Sequence, residues 1–320
     1  MISRLAVVVS QGPSDNPAKR ALEQSLIAGL QAISGLDLLV VPHLYDLRSA
    51  GPSLLALRQL QGDLVVASWL YGRATRWILD RNGIRGRPGD VQIRRAEDES
   101  ELDFDSGTLD GKDRVWDRWE IPQREIYCLD LKIAGQAEAY VNEVRRIAAS
   151  RHDGLNSGVT ATSAAHIEEP LKRRWYPVID YSRCTNCLEC VDFCLFGVYG
   201  IDEAETILVE QPDHCRQGCP ACSRVCPENA ILFPQHKTPA IAGASGKAGA
   251  LKLDLSQLFG APPADTSGQA IASAEREEHV RRSSPAVGPE RSTLSPPGDG
   301  ERASKDELDD LLDALDEFDS

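Results

Sequence analysis

Eight of the nine cysteines in this 320-residue chain lie between residues 184 and 226. They form two copies of one pattern. The first is Cys184-Thr-Asn-Cys187-Leu-Glu-Cys190-Val-Asp-Phe-Cys194, and the second is Cys215-Arg-Gln-Gly-Cys219-Pro-Ala-Cys222-Ser-Arg-Val-Cys226-Pro227. The opening residues Met1-Ile2-Ser3-Arg4 lead into only five apolar residues, Leu5 to Val9. That run is shorter than the core of a secretory signal. No apolar run approaches the roughly 20 residues a membrane span needs. The expectation is a cytoplasmic protein with no membrane span. In such a reducing compartment disulfides do not persist, so clustered cysteines point to metal binding.

Triplets of cysteine closing on a fourth suit a cubane of four irons, which needs four thiolates in a roughly tetrahedral array. A tight loop can wrap three of them around one corner of the cube. The chain cannot easily turn back within that loop to supply the fourth, which comes from a distant segment. Four-cysteine zinc sites more often pair two C-x2-C knuckles. Zinc, and clusters that only brace the fold, stay open as alternatives.

The stretch from Tyr176 to Pro234 resembles the bacterial-type two-cluster ferredoxins. That resemblance implies two [4Fe-4S] clusters with crossed ligation. Cys184, Cys187, Cys190 and Cys226 would hold one, and Cys215, Cys219, Cys222 and Cys194 the other. Tyr176-Pro-Val-Ile-Asp180 is similar to the family's leading strand, and Cys226-Pro-Glu-Asn-Ala-Ile231 to its closing turn and strand. Two features depart from the family. Leu195 follows Cys194 where the family has Pro, and three residues rather than two separate Cys215 from Cys219. The 20 residues between Cys194 and Cys215 predict a longer hairpin over about 198–209. His214 reads as a surface neighbour of the second motif, and Cys128 as a core thiol of a strand.

The first 150 residues alternate strands and helices. Leu5–Val9, Leu38–Val41, Asp63–Ser68 and Arg124–Leu131 read as strands. Helices are expected from Pro17, with Asn16 as its cap, and over Ser53–Leu60, Thr75–Arg81 and Gln136–Ala149. Such alternation implies a mostly parallel sheet covered on both faces. The loop Ser10–Asn16 joins a strand to a helix N-terminus but lacks the G-x-G-x-x-G spacing of dinucleotide sites. Residues 151–170 read as a linker. The expected architecture is an α/β domain over 1–150, a ferredoxin-like α+β domain over 171–236 and a disordered C-terminal tail over 237–303.

The net charge of −14 sits in two places. Residues 97–113 hold eight acids and one Lys, and residues 305–320 the same. The remainder is balanced and carries no basic patch interleaved with aromatics, so no nucleic-acid site is expected. Residues 97–113 read as a solvated insertion. Residues 304–320 read as an acidic amphipathic helix, with Leu308, Leu311, Leu312, Leu315 and Phe318 on one face as a candidate docking stripe for a redox partner protein. The leading functional reading is an electron carrier or redox subunit without catalysis of its own. Two others stay open: a reductase whose α/β domain binds a cofactor or substrate, and an assembly or sensor protein whose clusters do not transfer electrons.

Overall fold

The computed structural model describes residues 4–95, 111–150 and 162–244. The insertion over 97–110, residues 245–303 of the expected tail, and the stripe of Leu308, Leu311, Leu312, Leu315 and Phe318 lie outside the described residues.

Local chemistry accounts for the α/β elements. The apolar run of β1 (Leu5–Ser10) is buried along its whole length, as a central parallel strand must be. Asn16 then caps α1 (Pro17–Gln31) through its side-chain oxygen, which accepts from Ala18 N at 2.9 Å, with Pro17 at the first helical position. Leu22, Leu26 and Leu30 form the buried stripe. Gly35, at φ +84°, turns the chain into β2 (Leu36–Val41). The remaining elements of this half are α2 (Pro52–Gln59), β3 (Leu64–Ser68), α3 (Gly72–Arg81), β4 (Arg87–Pro88), β5 (Glu125–Asp130) and α4 (Ala137–Ser150).

The six-stranded sheet has the order β4-β5-β3-β1-β2-β6 with every neighbouring pair parallel. Its last edge strand, β6 (Ala164–His166), falls in the stretch read as a linker. Nothing in Ala-Ala-His marks a strand. Pairing along β2 creates it, helped by Thr162 Oγ1 donating to Ile33 O at 2.6 Å. β2 and β3 flank β1 on opposite sides, so the winding reverses there and opens a crevice beyond the strands' carboxyl ends.

Helices α1 and α4 cover one face of the sheet, where Leu26, Leu30, Tyr140 and Val144 pack on Val7, Val9 and Val65. The other face is covered by α2 and α3, where Leu54, Leu57, Trp77 and Ile78 pack on Ala6, Val8 and Val66. That second core does not stop at the α/β half. It takes in Tyr176, Val178 and Leu232 from the cysteine-rich half. β7 (Val178–Ile179) pairs antiparallel with β10 (Ile231–Leu232). Successive strand residues point to opposite faces. Val178 and Leu232 therefore enter the α/β core, while Ile179 and Ile231 enter a third core that also contains Cys190, Cys222 and Cys226. One two-residue ribbon is the wall shared by both halves.

Two expectations on the cysteine-rich side can be compared directly with the structure. The hairpin appears as β8 (Tyr199–Ile201) against β9 (Ile207–Val209). The tail read as disordered from residue 237 begins with a packed turn instead. Residues Pro239–Ala242 are helical, Ile241 and Ala242 are buried, and Phe233 N donates to Ile241 O at 2.8 Å. Among the described residues, no helix is long and apolar enough to cross a membrane.

Asp80, near the end of α3, has a nearly buried carboxylate 3.6 Å from Arg85, and its Oδ1 finds no partner. Burial raises its pKa to about 6, against the opposing pull of Arg85 and Arg76. The fold thus prefers the protonated form. The resulting stability is complete below the unfolded-state pKa of 3.8 and is lost as pH rises through about 6. Asp80→Asn should stabilise the protein at pH 8 by on the order of 2 kcal/mol and hardly at all at pH 4. Urea unfolding at the two pH values checks this, and an equal effect at both would contradict it.

Candidate metal centre

Each cysteine motif folds as a loop followed by one helical turn. In the first, Asn186 and Leu188 hold positive φ of 60° and 63°. These left-handed residues bend the chain sharply between Cys184, Cys187 and Cys190. A left-handed leucine is strained, and the hairpin holds this loop in place. Asn186 Nδ2 donates to Glu205 O at 2.7 Å, and Ile207 N donates to Asn186 Oδ1 at 2.9 Å. The second loop absorbs its extra residue at Gly218, φ +81°, with Cys219 N closing a turn on Arg216 O at 3.0 Å.

The third cysteine of each motif lies on a short helix and the fourth closes it. α5 (Glu189–Phe193) carries Cys190 and ends at Cys194, and α6 (Ala221–Val225) carries Cys222 and ends at Cys226. Both terminal amides donate back one turn at 3.2 Å, Cys194 N to Cys190 O and Cys226 N to Cys222 O. A four-residue helical step advances the chain by about 6 Å, which carries the fourth sulfur away from its own triplet. Because α5 and α6 pack on each other, that displacement brings it toward the other motif.

The electrostatic neighbours of the thiols follow this geometry. Cys184 is perturbed by Cys226 and Cys187, and Cys226 by Cys187. Cys190 feels Cys226, Cys184 and Cys187, together with Cys222 across the divide. Cys215 is perturbed by Cys222, Cys219 and Cys194, and Cys222 by Cys219 and Cys194. Each group therefore contains three cysteines of one motif and the last cysteine of the other. Burial, the largest cause, favours the protonated form of five of these thiols. Cys184 is pushed up to about 11, while Cys190, Cys215, Cys222 and Cys226 are also raised. Metal binding would have to displace those protons. Backbone amides already point at the sulfurs, with Asn186 N 3.4 Å from Cys184 Sγ and Ala230 N 3.3 Å from Cys226 Sγ.

Cys194, Cys215, Cys219 and Cys222 line one small pocket, otherwise walled by Pro177, Phe193, Leu195, Phe196, Val198, Tyr199 and Ala221. Four soft donors in an otherwise apolar chamber fit an iron–sulfur core better than a hydrated ion. Among the described residues, no three Cys, His, Asp or Glu side chains converge on the position of a single metal ion. A multi-iron core suits thiols held apart, since it places one iron at each sulfur. His214 is exposed beside Cys215. Cys128 stands apart from both groups, packed against the second core, with its thiol pushed up to about 12 by burial.

The α/β half holds this assembly through polar pins that sequence reading did not anticipate. From α3, Arg73 Nε meets the buried Asp180 carboxylate at 2.5 Å and its Nη2 donates to Asn229 O at 2.6 Å. Asp180 O in turn accepts from Cys184 N at 3.0 Å. Residues 112–116 run alongside the first loop. Val115 N donates to Cys184 O at 2.9 Å, Arg114 Nη1 donates to Arg183 O at 2.7 Å, and Lys112 and Arg114 both pair with Glu228. Trp116, Trp119, Trp77 and Tyr181 form an aromatic cluster there, with ring centroids 4.7 to 6.0 Å apart. On the other flank, Tyr45 and Tyr176 stack at 4.3 Å and exchange hydroxyl-to-carbonyl hydrogen bonds. Buried His43 pairs with Asp46, whose other oxygen accepts from Arg174 N and Gln235 Nε2. Single arginines and tryptophans scattered through a sequence give no sign that they meet across 100 residues.

No protein-family model matches the chain. It is similar to an uncharacterized ferredoxin of Methanocaldococcus jannaschii, 48% identical over 66 residues, which are 20% of this chain and 44% of that protein. It is also similar to the pyruvate synthase subunit PorD of the same organism, 36% identical over 59 residues, 18% of this chain and 66% of that subunit. The chain thus spans less than half of the first relative and about two thirds of the second. These likenesses support a ferredoxin domain within the chain.

Removing the Arg73 guanidinium leaves the Asp180 carboxylate buried with weaker support, since Arg183 lies 3.7 Å away. Arg73→Ala should cost about 3 kcal/mol of folding stability, and Arg73→Ala/Asp180→Asn should recover part of it. Urea denaturation followed by tryptophan fluorescence measures both. A cost of Arg73→Ala below about 0.5 kcal/mol, the scale of an ordinary surface change, would show that this pin does not hold the halves together.

Proposed function

We propose that the chain is an iron–sulfur electron-transfer protein with two [4Fe-4S] clusters, which relays electrons to or from a partner oxidoreductase. Cys184, Cys187, Cys190 and Cys226 hold one cluster, and Cys215, Cys219, Cys222 and Cys194 the other. The observation that carries this reading is the division of the thiols into two groups, each completed by the last cysteine of the opposite motif. A thiolate-bound cubane, once in place, supplies one-electron exchange with little rearrangement. The chain's own residues exclude water with Phe193, Phe196 and Val198, direct amides at sulfur, and keep both loops rigid through the hairpin and the α/β clamp. Cys190 and Cys222 are electrostatic neighbours, which supports passage between the two sites. Likeness to a pyruvate synthase subunit supports work within or beside a larger oxidoreductase. In this reading the stripe of Leu308, Leu311, Leu312, Leu315 and Phe318 serves as the tether.

Crossed ligation has a direct test in anaerobically purified full-length variants. Cys187→Ser/Cys226→Ser removes two ligands of one cluster and should leave the other, about half of the iron. Cys187→Ser/Cys194→Ser strikes both clusters and should abolish the low-temperature EPR signals of the reduced protein. Local ligation, each motif closing on its own fourth cysteine, reverses these outcomes, and material that binds zinc in place of iron would end the redox reading.

One observation favours a second reading, a reductase whose α/β half binds an anionic cofactor. At the carboxyl ends of β1, β3 and β5, Lys19 lies 4.8 Å over the Trp69 ring and Lys132 lies 3.5 Å over the Tyr71 ring. Glu23 fixes the loop there by accepting from Gly12 N and Trp69 Nε1, both at 2.7 Å. Absorbance of the pure protein decides between the readings: flavin or tetrapyrrole bands above the iron–sulfur background would favour the reductase, and their absence from fully loaded protein the carrier.

A further inference from the structure

Tyr199 lies on β8 inside the third core, among the cysteines. Its hydroxyl is buried and has no hydrogen-bond partner in the described structure. A buried hydroxyl without a partner is costly, and a Phe at this position would fill the same space without that cost. Tyr199 lines the same pocket as Cys194, Cys215, Cys219 and Cys222, so the sulfurs of the second group are the partners within its reach. A thiolate carries more charge on sulfur and draws a donor in more strongly. A phenolic hydroxyl keeps its proton at physiological pH and can serve as a donor. By contrast, the donors observed at Cys184 and Cys226, in the other group, are backbone amides.

We infer that the Tyr199 hydroxyl raises the reduction potential of the second site by donating to ligated Cys222. The inference rests on the two-cluster reading above. One electron added at the second site places more negative charge on the Cys222 sulfur. No bond forms or breaks, and the Tyr199 proton stays on its oxygen. A donor that binds the more negative state more strongly favours reduction. The hydroxyl thus favours the reduced state of the second site. That site's cavity wall includes Leu195, which is 56% exposed, so its outer edge is open to a partner. Tyr199 is in this sense a positioning residue for charge, and its effect is read as a potential.

The test is a potentiometric titration of the full-length, anaerobically purified protein followed by EPR, with dithionite as reductant. Tyr199→Phe should retain both clusters and lower one couple. At that couple's wild-type midpoint the ratio of reduced to oxidised cluster should fall about tenfold, equivalent to 59 mV for one electron. The other couple should not move. In a Cys187→Ser background, which keeps only the second site, the shift should persist. Incorporating 3-fluorotyrosine at position 199 makes the hydroxyl a stronger donor and should move the same couple upward. This arm also decides the matter if Tyr199→Phe loses its clusters. Intact clusters with unmoved couples, or a shift confined to the first site, would overturn the inference and leave the two-cluster reading standing. Wild-type protein without iron–sulfur EPR signals would remove that reading instead.

Discussion

A seven-residue loop carrying three cysteines cannot also deliver a fourth sulfur to the same cube. From that limit follow the helical turns that carry Cys194 and Cys226 out of their own loops, and the packing of α5 on α6 that brings each fourth cysteine near the opposite triplet. Burial favours the protonated thiols of Cys184, Cys190, Cys215, Cys222 and Cys226, and several of these stand where neighbouring thiols would repel their charge. Such a core is stable only when its walls are held from outside, and the rest of the described structure supplies that hold.

The α/β half acts first as a wall. Its sheet has two apolar faces, and α2 and α3 do not finish covering the second. Tyr176, Val178 and Leu232 complete the cover, so neither half can be removed without exposing apolar surface of the other. The ribbon of β7 and β10 makes this possible with four residues, because strand alternation assigns two side chains to each core. Polar pins then fix the register. Arg73 on Asp180, Arg114 beside Cys184, and the reciprocal pair Tyr45–Tyr176 lie on three sides of the contact. Buried charges of this kind add little net stability but penalise any other arrangement strongly.

Much of the architecture was legible before any coordinates. The four main strands and four main helices of the first half fall within a few residues of where apolar periodicity, Asn16 and Gly35 place them. The hairpin over 198–209 follows from the spacing of the cysteines. The failures have a common physical cause. β6 has no strand signal because its stability comes from the edge of β2. Residues 237–244 read as disordered tail because their composition is weak, yet Ile241 and Ala242 find a core to enter. Nothing in the sequence singles out Tyr199, since a hydroxyl's missing partner is invisible in one dimension.

Two properties were settled by the sequence alone: the type and spacing of the thiol donors, and the division into a parallel α/β half and a cysteine-rich half. Both are local, set by residues within one turn or one loop of each other. Tertiary structure decided which sulfurs stand together, that the two halves share a core, and which side chains clamp the loops. Those outcomes depend on contacts between residues as far apart as Arg73 and Asn229, where burial and charge act through space and the order of residues carries no record of them.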